Sequence, residues 1–171
     1  IINKFLSEKK RFLEDKIVNS IKELSGALAF MHDTLRIMHR DIKPANIFVD
    51  EIGTLKLGDF GLSKSLGHEH LAATFVGTPI YMSPEQCNGD SYSFAADMWA
   101  LGCVIYEMMS LRSPWMDGRD MSTYPALVAR INQANPRYDH LQSLYSGTLL
   151  NATKWMLRHD SSKRPSASEM N

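Results

Sequence analysis

Two acidic residues and an asparagine lie close together in the sequence and could serve phosphoryl transfer. Asp41 and Asn46 belong to the polar stretch His39–Asn46, and Asp59 follows in the triplet Asp59–Gly61. Phosphoryl transfer needs a carboxylate that orients the attacking hydroxyl and accepts its proton, and it needs oxygen ligands that hold Mg²⁺ against the phosphates. The loop and the Asp-Phe-Gly triplet together therefore predict a phosphoryl-transfer site.

A small hairpin between these two groups would bring them together. The apolar triplets Ile47–Val49 and Leu55–Leu57 flank a polar turn that contains Gly53, a pattern typical of two antiparallel strands. Such a hairpin would return Asp59 to the neighbourhood of Asn46.

The rest of the chain is predicted to be mainly helical. Apolar residues recur every three or four positions from Glu14 to His32, which indicates an amphipathic helix. The stretch from Ala95 to Met109 is apolar on nearly every side and predicts a helix that is buried all round. Further helices are expected from Pro125 onwards and from Thr148 to Leu157, and a short strand is expected at Ile37–Met38.

Two segments without a clear period carry further signals. The residues from Gly58 to Gln86 are rich in Gly, Pro, Ser and Thr, and an irregular segment of this length in a compact domain is usually functional. Ser166 and Glu169 have the spacing of a capping box at the start of a helix. Because the chain opens at Ile1 and closes within one turn of this helix, both ends are expected to be cuts and the chain a fragment.

The composition excludes several classes of protein. Apolar residues make up 44% of the chain and charged residues 22%, which predicts a folded domain. The 19 basic and 19 acidic residues balance, so charge provides no basis for binding nucleic acid or an anionic membrane. No apolar run is long enough to span a bilayer. The two cysteines, Cys87 and Cys103, favour a reducing compartment, and we expect an intracellular, cytoplasmic protein.

Longer strings resemble the C-terminal lobe of the eukaryotic protein kinases, most of all the short NIMA-related serine/threonine kinases. These strings are Arg40–Phe48, Lys56–Leu62, Phe75–Glu85 and Asp97–Met108. The resemblance covers essentially all of residues 1–171. It implies one partial catalytic domain, mainly α with a small β-hairpin, in which the N-terminal lobe is missing.

The resemblance implies a role for each residue of the proposed site. Asp41 would be the catalytic base, and Lys43 would contact the transferred phosphate. Asn46 and Asp59 would ligate Mg²⁺. The implied cofactors are therefore ATP and Mg²⁺.

The same resemblance implies a set of residues that support the site. They are His39, Arg40, Glu85, Asp97 and Arg164. Glu85 would pair with Arg164, and Asp97 would hydrogen-bond the catalytic loop from the buried helix.

The irregular segment would hold the substrate and receive a regulatory phosphate. Gly77 and Thr78 would form a platform for the substrate peptide. Thr74 stands four residues before Thr78, where many kinases carry an activating phosphate, and Arg40 and Lys64 occupy the positions that supply cations to it. The alternative is an exposed, unmodified loop threonine.

The resemblance therefore implies a non-specific serine/threonine protein kinase that transfers the γ-phosphate of ATP to protein substrates. An activating kinase or a scaffold would be a further partner, and cytoskeleton, centrosome or nucleus are locations that the resemblance alone suggests. The sequence contains no Gly-x-Gly-x-x-Gly loop and no Val-Ala-Ile-Lys strand, so these residues alone are expected to be inactive.

Two other functions stay open. One is a pseudokinase or scaffold docking module, against which the intact set Asp41, Lys43, Asn46 and Asp59 argues. The other is a small-molecule phosphotransferase, which would lack the peptide platform from Gly77 to Glu85.

Overall fold

The computed structural model describes residues 11–59, 79–116 and 123–171. Within these ranges the fold is mainly α with one two-stranded antiparallel sheet, as predicted. The helices are α1 (Glu14–Ala29), α2 (Pro84–Cys87), α3 (Ala95–Ser110), α4 (Tyr124–Gln133), α5 (Gly147–Met156) and α6 (Ala167–Met170). The strands are β1 (Ile47–Val49) and β2 (Leu55–Leu57), and 3₁₀ turns cover Pro44–Asn46, Asp139–Leu141 and Ser161–Lys163. None of the helices in the described ranges has the length and apolar character needed to cross a bilayer.

Helix α1 buries the predicted apolar stripe. Ile17, Leu24 and Leu28 are fully buried, and Ile21 is nearly so. The helical path runs past the predicted end, because Phe30–Leu35 form a π-helical turn that stops at Arg36 in the left-handed region, with φ 57°.

The strand predicted at Ile37–Met38 is wrong. In the described part of the chain, these residues belong to neither strand of the sheet. The backbone N–H of Ile37 instead donates to the carbonyl of Met31 at 3.0 Å, which closes the π-helical turn. The short apolar pair therefore lies just after the helix, and Ile37 is bonded back to its last turn.

The predicted hairpin is present. Ile47 pairs with Leu57 and Val49 with Leu55. In the turn, Asp50 Oδ1 accepts hydrogen bonds from the backbone N–H of Thr54 and Ile52, at 2.8 and 3.2 Å. Gly53 adopts φ 92°, a conformation that favours glycine.

Helix α3 is the centre of the core. Every residue from Ala96 to Tyr106 is buried, as the uniformly apolar sequence predicted. A Cβ atom on Gly102 would lie 2.9 Å from Met156 Cβ and 3.0 Å from Leu157, so the glycine permits the close approach of α3 to the end of α5.

Helix α2 begins inside the segment that was predicted to be irregular and ends one residue after it. Pro84 occupies its first turn, where the missing N–H costs nothing. Gln86 Oε1 accepts hydrogen bonds from Ser83 N–H and Oγ–H, at 3.0 and 3.1 Å. The capping box predicted at Ser166 and Glu169 is also present and begins α6.

The two cysteines carry free thiols. Cys103 is fully buried in α3, whereas Cys87 is only partly buried in α2. Burial raises the pKa of the Cys87 thiol to about 12.

Candidate active site

The side chain of Asn46 folds back onto Asp41. The 3₁₀ turn that begins at Pro44 reverses the chain, and Asn46 Nδ2 donates to both the carboxylate Oδ2 and the backbone carbonyl of Asp41, each at 2.8 Å. These bonds use both amide hydrogens of the buried asparagine. Among the described residues no group bonds Asn46 Oδ1, the oxygen that a metal would require.

Lys43 contacts the same carboxylate. Its Nζ lies 2.8 Å from Asp41 Oδ2, while 38% of the lysine side chain remains exposed. Asp41 Oδ2 is therefore held by an amide and an ammonium group, and Oδ1 has no hydrogen-bond donor among the described residues. A carboxylate fixed through one oxygen is suited to accept a proton through the other.

The hairpin returns the chain to this loop, as predicted. Gly58 N–H donates to the carbonyl of Asn46 at 3.0 Å, and His39 Nε2 lies 3.1 Å from the carbonyl oxygen of Gly58. Asp59 follows directly, is exposed and has φ 62°. A left-handed non-glycine residue costs about 1–3 kcal/mol, and such residues cluster at functional sites.

Asp97 holds the loop from the start of α3. Its Oδ1 accepts from the backbone N–H of Arg40 at 2.8 Å, and its Oδ2 accepts from the backbone N–H of His39 at 2.8 Å. The carboxylate is buried, and these bonds compensate for its loss of solvation. They also hold Arg40 in its left-handed conformation, with φ 70°.

His32 is a member of this network that the sequence reasoning missed. Its Nε2 lies 2.8 Å from Asp97 Oδ2, and both side chains are almost fully buried. The ring also stacks on Phe94 at 4.5 Å between centroids. No local signal marks this pairing, since the two residues are 65 positions apart.

The guanidinium of Arg40 lies beside the loop and close to an aromatic ring. It lies 6.0 Å from the ring centre of Tyr92. Its Nε is buried and has no hydrogen-bond partner among the described residues. This cation beside the loop could receive an anionic group.

Glu85 and Arg164 form the ion pair that the resemblance implied. Two hydrogen bonds of 2.7 and 2.8 Å join the carboxylate to the guanidinium, which also lies 4.8 Å from the ring centre of Trp99. The remaining donors of Arg164 bond the carbonyl oxygens of Ala95, Arg158 and His159. Burial alone would raise the pKa of Glu85, but the hydrogen bonds from Arg164 outweigh it and hold the pKa below its usual value.

The substrate platform and the candidate phosphorylation site lie outside the described residues. This applies to Thr74, Gly77 and Thr78. Where the description resumes, Tyr81 donates its hydroxyl to Glu107 Oε2 of α3 at 2.6 Å. Burial raises the pKa of Glu107, although the hydrogen bond from Tyr81 acts in the opposite direction.

Phe48 is a second residue that the sequence reasoning missed. It lies in the middle of β1, and its side chain is 54% exposed. A Cβ atom on Gly58 would lie only 2.6 Å from Phe48 Cε2, so the ring packs directly against the residue before Asp59. An exposed aromatic surface therefore borders the polar loop.

The residues present fit a magnesium ion whose remaining ligands come from a substrate. The amide oxygen of Asn46 and the carboxylate of Asp59 are hard oxygen donors, which Mg²⁺ prefers. The described residues contain no group of three or more His, Cys, Asp or Glu side chains that could hold a metal by themselves. In the usual Mg²⁺ site, one or two protein ligands are completed by water and phosphate oxygens.

Comparison with known proteins assigns the family. The family model described as the protein kinase domain matches residues 2–171. The chain belongs to the protein kinase family. The mainly helical fold with one hairpin that the described residues form is consistent with the C-terminal lobe of a kinase.

The curated relatives are NIMA-related serine/threonine kinases, which confirms the resemblance drawn from the sequence. The chain is 38% identical to the probable serine/threonine-protein kinase nek2 of Dictyostelium discoideum, over 99% of the chain and 40% of that protein. It is 42% identical to the G2-specific protein kinase nim-1 of Neurospora crassa, over 77% of the chain and 15% of that protein. It is 38% identical to the serine/threonine-protein kinase Nek9 of Mus musculus, over 98% of the chain and 17% of that protein. The kinase chain thus spans 40% or less of the length of these relatives.

Proposed function

We propose that the protein carrying this chain is a non-specific serine/threonine kinase that transfers the γ-phosphoryl group of ATP to hydroxyl groups of protein substrates. The observation that carries the proposal is the placement of Asn46. Its amide nitrogen donates to Asp41, and among the described residues no group bonds its Oδ1, while its backbone carbonyl accepts from the N–H of Gly58, the residue before Asp59. One loop thus supplies a base and a metal ligand side by side.

Asp41 is the proposed catalytic base. Lys43 and Asn46 fix its Oδ2, so that its Oδ1 would orient the substrate hydroxyl and accept its proton. General-base assistance of this kind is typically worth about 10²–10⁴-fold in rate. Lys43 keeps enough exposure to contact the transferred phosphate as well.

Asn46 and Asp59 are the proposed ligands of Mg²⁺. When bound, the ion supplies positive charge that neutralises the phosphate oxygens. The exposed ring of Phe48 lies beside Gly58 and provides an apolar surface on which the nucleotide base would stack. The chain would therefore hold the phosphates of ATP through Mg²⁺ at Asn46 and Asp59, and the base at Phe48.

The remaining parts of the proposal concern substrate and regulation. Gly77 and Thr78 would hold the substrate peptide, and phosphorylation of Thr74 would activate the enzyme. Within the described ranges the Nε of Arg40 has no hydrogen-bond partner, which supports the second point, because a phosphate adds about −1.5 to −2 charges and pairs well with arginine. We further propose an intracellular, cytoplasmic location and an activating kinase or scaffold as partner, by likeness to the relatives.

The test is transfer of labelled phosphate. The full-length protein, supplied with Mg²⁺ and γ-labelled ATP, is expected to label serine and threonine of a general protein substrate, and chelation of Mg²⁺ should abolish labelling. Asp41→Asn should lower transfer strongly, whereas Asp139→Asn, the same change at an acid that is 79% exposed, should not. A wild-type protein that binds Mg²⁺–ATP yet transfers no phosphate would instead support the scaffold function.

A further inference from the structure

We propose that Glu23 is a positioning residue that holds the hairpin of β1 and β2 against α1 and so keeps Asp59 beside Asn46. The inference rests on the proposed kinase function and adds a residue to which the motifs of the sequence gave no role. Glu23 lies on α1, and its Oε2 accepts a hydrogen bond of 2.8 Å from the backbone N–H of Leu55, 32 positions along the chain. The contact joins the helix to the first residue of β2.

The N–H group of Leu55 points away from the partner strand. In an antiparallel pair, opposed residues that exchange backbone hydrogen bonds alternate with opposed residues that do not. Gly58 and Asn46 are a bonded pair, since Gly58 N–H donates to the carbonyl of Asn46 at 3.0 Å. Leu55 lies three positions earlier, opposite Val49, and so belongs to a pair without these bonds. The carboxylate of Glu23 therefore provides the acceptor that a third strand would otherwise provide.

The hairpin needs this external support because it is small. Each strand has three residues, and the sheet formed by the described residues has two strands. A two-stranded hairpin by itself is at best marginally stable in water. Ile47 and Leu57 pack into the core, but apolar contacts are non-directional and do not fix the position of the strand along α1. A hydrogen bond to a carboxylate is directional and fixes that position.

Helix α1 is a rigid base for the carboxylate. Its residues Ile17, Leu24 and Leu28 have no exposed surface, and Leu24 directly follows Glu23. The backbone from which the Glu23 side chain extends is therefore fixed by the core. The hairpin is held by a group that cannot move with it.

The support reaches the proposed metal site through the open end of the hairpin. Strand β1 begins directly after Asn46, and β2 ends directly before Gly58. Asp59 follows with φ 62°. If β2 separated from β1, the bond between Gly58 and Asn46 would be lost, and Asp59 would no longer be returned to the loop. Glu23 thus acts on the two proposed ligands of Mg²⁺ through the backbone of the hairpin.

The experiment compares Glu23→Ala with Glu23→Gln in the full-length protein. Glu23→Ala loses the acceptor, whereas Glu23→Gln keeps an acceptor oxygen and loses the charge. We expect Glu23→Ala to raise the KM for Mg²⁺–ATP about tenfold, the lower end of the range for groups that orient a metal ligand, with a smaller change in kcat. Glu23→Gln should restore most of the lost affinity. An unchanged KM in Glu23→Ala would overturn the inference.

Glu14→Ala is the matched control. Glu14 also lies on α1, and its Oε2 accepts a hydrogen bond of 2.8 Å from the backbone N–H of Ser146. This bond has the same type and length, but it leads to the start of α5 and not to the hairpin. Glu14→Ala should therefore lower stability without raising the KM. An equal rise of the KM in both alanine variants would show a general loss of stability and would contradict the positioning role.

A second measurement does not depend on activity. In Glu23→Ala, the amide hydrogen of Gly58, three residues beyond the contact, should exchange about tenfold faster than in the wild type, and amides in the middle of α3 should not. Unchanged exchange at Gly58 would overturn the inference even if the amide of Leu55 exchanged faster, because the bond would then act only locally. If the wild-type protein transfers no phosphate, the kinase proposal fails, and the exchange at Gly58 still decides whether Glu23 holds the hairpin.

Discussion

The carboxylate of Glu85 and the guanidinium of Arg164 form a two-pronged ion pair across 79 positions of sequence. The side chain of Arg164 is fully buried, and that of Glu85 is 12% exposed. The pair joins α2, directly after the proposed substrate segment, to the residues that precede α6. The ion pair therefore connects the chain just after the proposed substrate segment to the C-terminal part of the core.

Removal of one partner of this pair should destabilise the protein strongly. Glu85→Gln leaves a buried cation without its counter-charge, and losses of this kind are typically about 3–5 kcal/mol. Urea unfolding of wild type and variant measures the loss. The control is Lys163→Ala, which removes an exposed pair with Asp160 and should cost less than about 1 kcal/mol. A similar loss of unfolding free energy in the two variants would show that the buried pair stabilises the protein no more than the exposed pair does.

The same pair should make the protein sensitive to acid. The pKa of Glu85 is held below its usual value, so its contribution to stability is present above the unfolded pKa of about 4.3 and is lost as the pH falls through the lower folded pKa. The free energy of unfolding of the wild type should therefore fall more steeply than that of Glu85→Gln below about pH 4.3. Parallel curves would show that this carboxylate does not contribute to the acid sensitivity.

The two carboxylates of the proposed site should fail in different ways. Asp59→Ala removes a proposed metal ligand, so turnover and the affinity for Mg²⁺–ATP should both fall. Asp41→Asn removes the proposed base, so turnover should fall by about 10²–10⁴-fold with ATP binding largely retained. Nucleotide affinity measured by calorimetry beside kcat separates them. An equal loss of affinity in both variants would rule out this division of roles.

Phe48 should contribute to nucleotide affinity more than to stability. Phe48→Ala is expected to raise the KM for ATP roughly tenfold, because stacking of a base on an aromatic ring is worth about 1–3 kcal/mol. Ile52→Ala, at an 88% exposed apolar residue in the hairpin turn, is the matched control and should leave KM unchanged.

Gly58→Ala probes the same contact from the other side. The added Cβ would meet Phe48 Cε2 at 2.6 Å and displace the ring, so ATP should bind more weakly. In the Phe48→Ala background the change should have much less effect, since the two residues are in contact. Fully additive effects on KM would argue against a stacked base at Phe48.

Thr74 should carry a phosphate in the active protein. Mass spectrometry of active enzyme is expected to find it, and Thr74→Ala should lower kinase activity, since a phosphate of about −1.5 to −2 charges would pair with Arg40. The control is Thr148→Ala, at an exposed threonine of α5. Full activity in Thr74→Ala would remove this regulatory proposal.

Most of the helices and strands could be predicted because the apolar residues of the sequence pattern are the residues that the structure buries. Helix α3 has apolar residues at successive positions, and a helix buried on all sides is what such a run requires. The stripe of α1 and the two triplets of the hairpin have equally clear periods. These elements follow from side-chain spacing alone.

The errors occur where a short segment depends on a distant or unusual contact. The apolar pair at Ile37 suggested a strand, but its backbone closes a π-helical turn, whose wider winding leaves no trace in the hydrophobic period. Helix α2 was missed although Ser83, Pro84 and Gln86 form a recognisable start signal, because four residues are too few to show a period.

The motif residues of the proposed site and several of its supports, such as Asp97 and the pair of Glu85 and Arg164, were predicted, whereas His32 and Phe48 were missed. Asp41, Asn46 and Asp59 stand in strings that the family shares. His32 was assigned no function, because nothing in a helical stripe shows which buried residue meets a carboxylate 65 positions away. Phe48 lies next to the buried Ile47 in β1, and its side chain points to the opposite face of the hairpin. Only the packing in the structure shows that this face is exposed.

In a helix that is buried on every side, a substitution at any position is expected to destabilise the protein. Along α3, Asp97 secures the loop, Gly102 admits α5 and Glu107 receives Tyr81, while every residue from Ala96 to Tyr106 is enclosed. Saturation mutagenesis should therefore find that successive positions of α3 do not tolerate substitution. In α1, tolerant and intolerant positions should alternate, because only one face of that helix is buried. Tolerated substitutions in this protein would therefore be expected in the surrounding loops and not in helix α3.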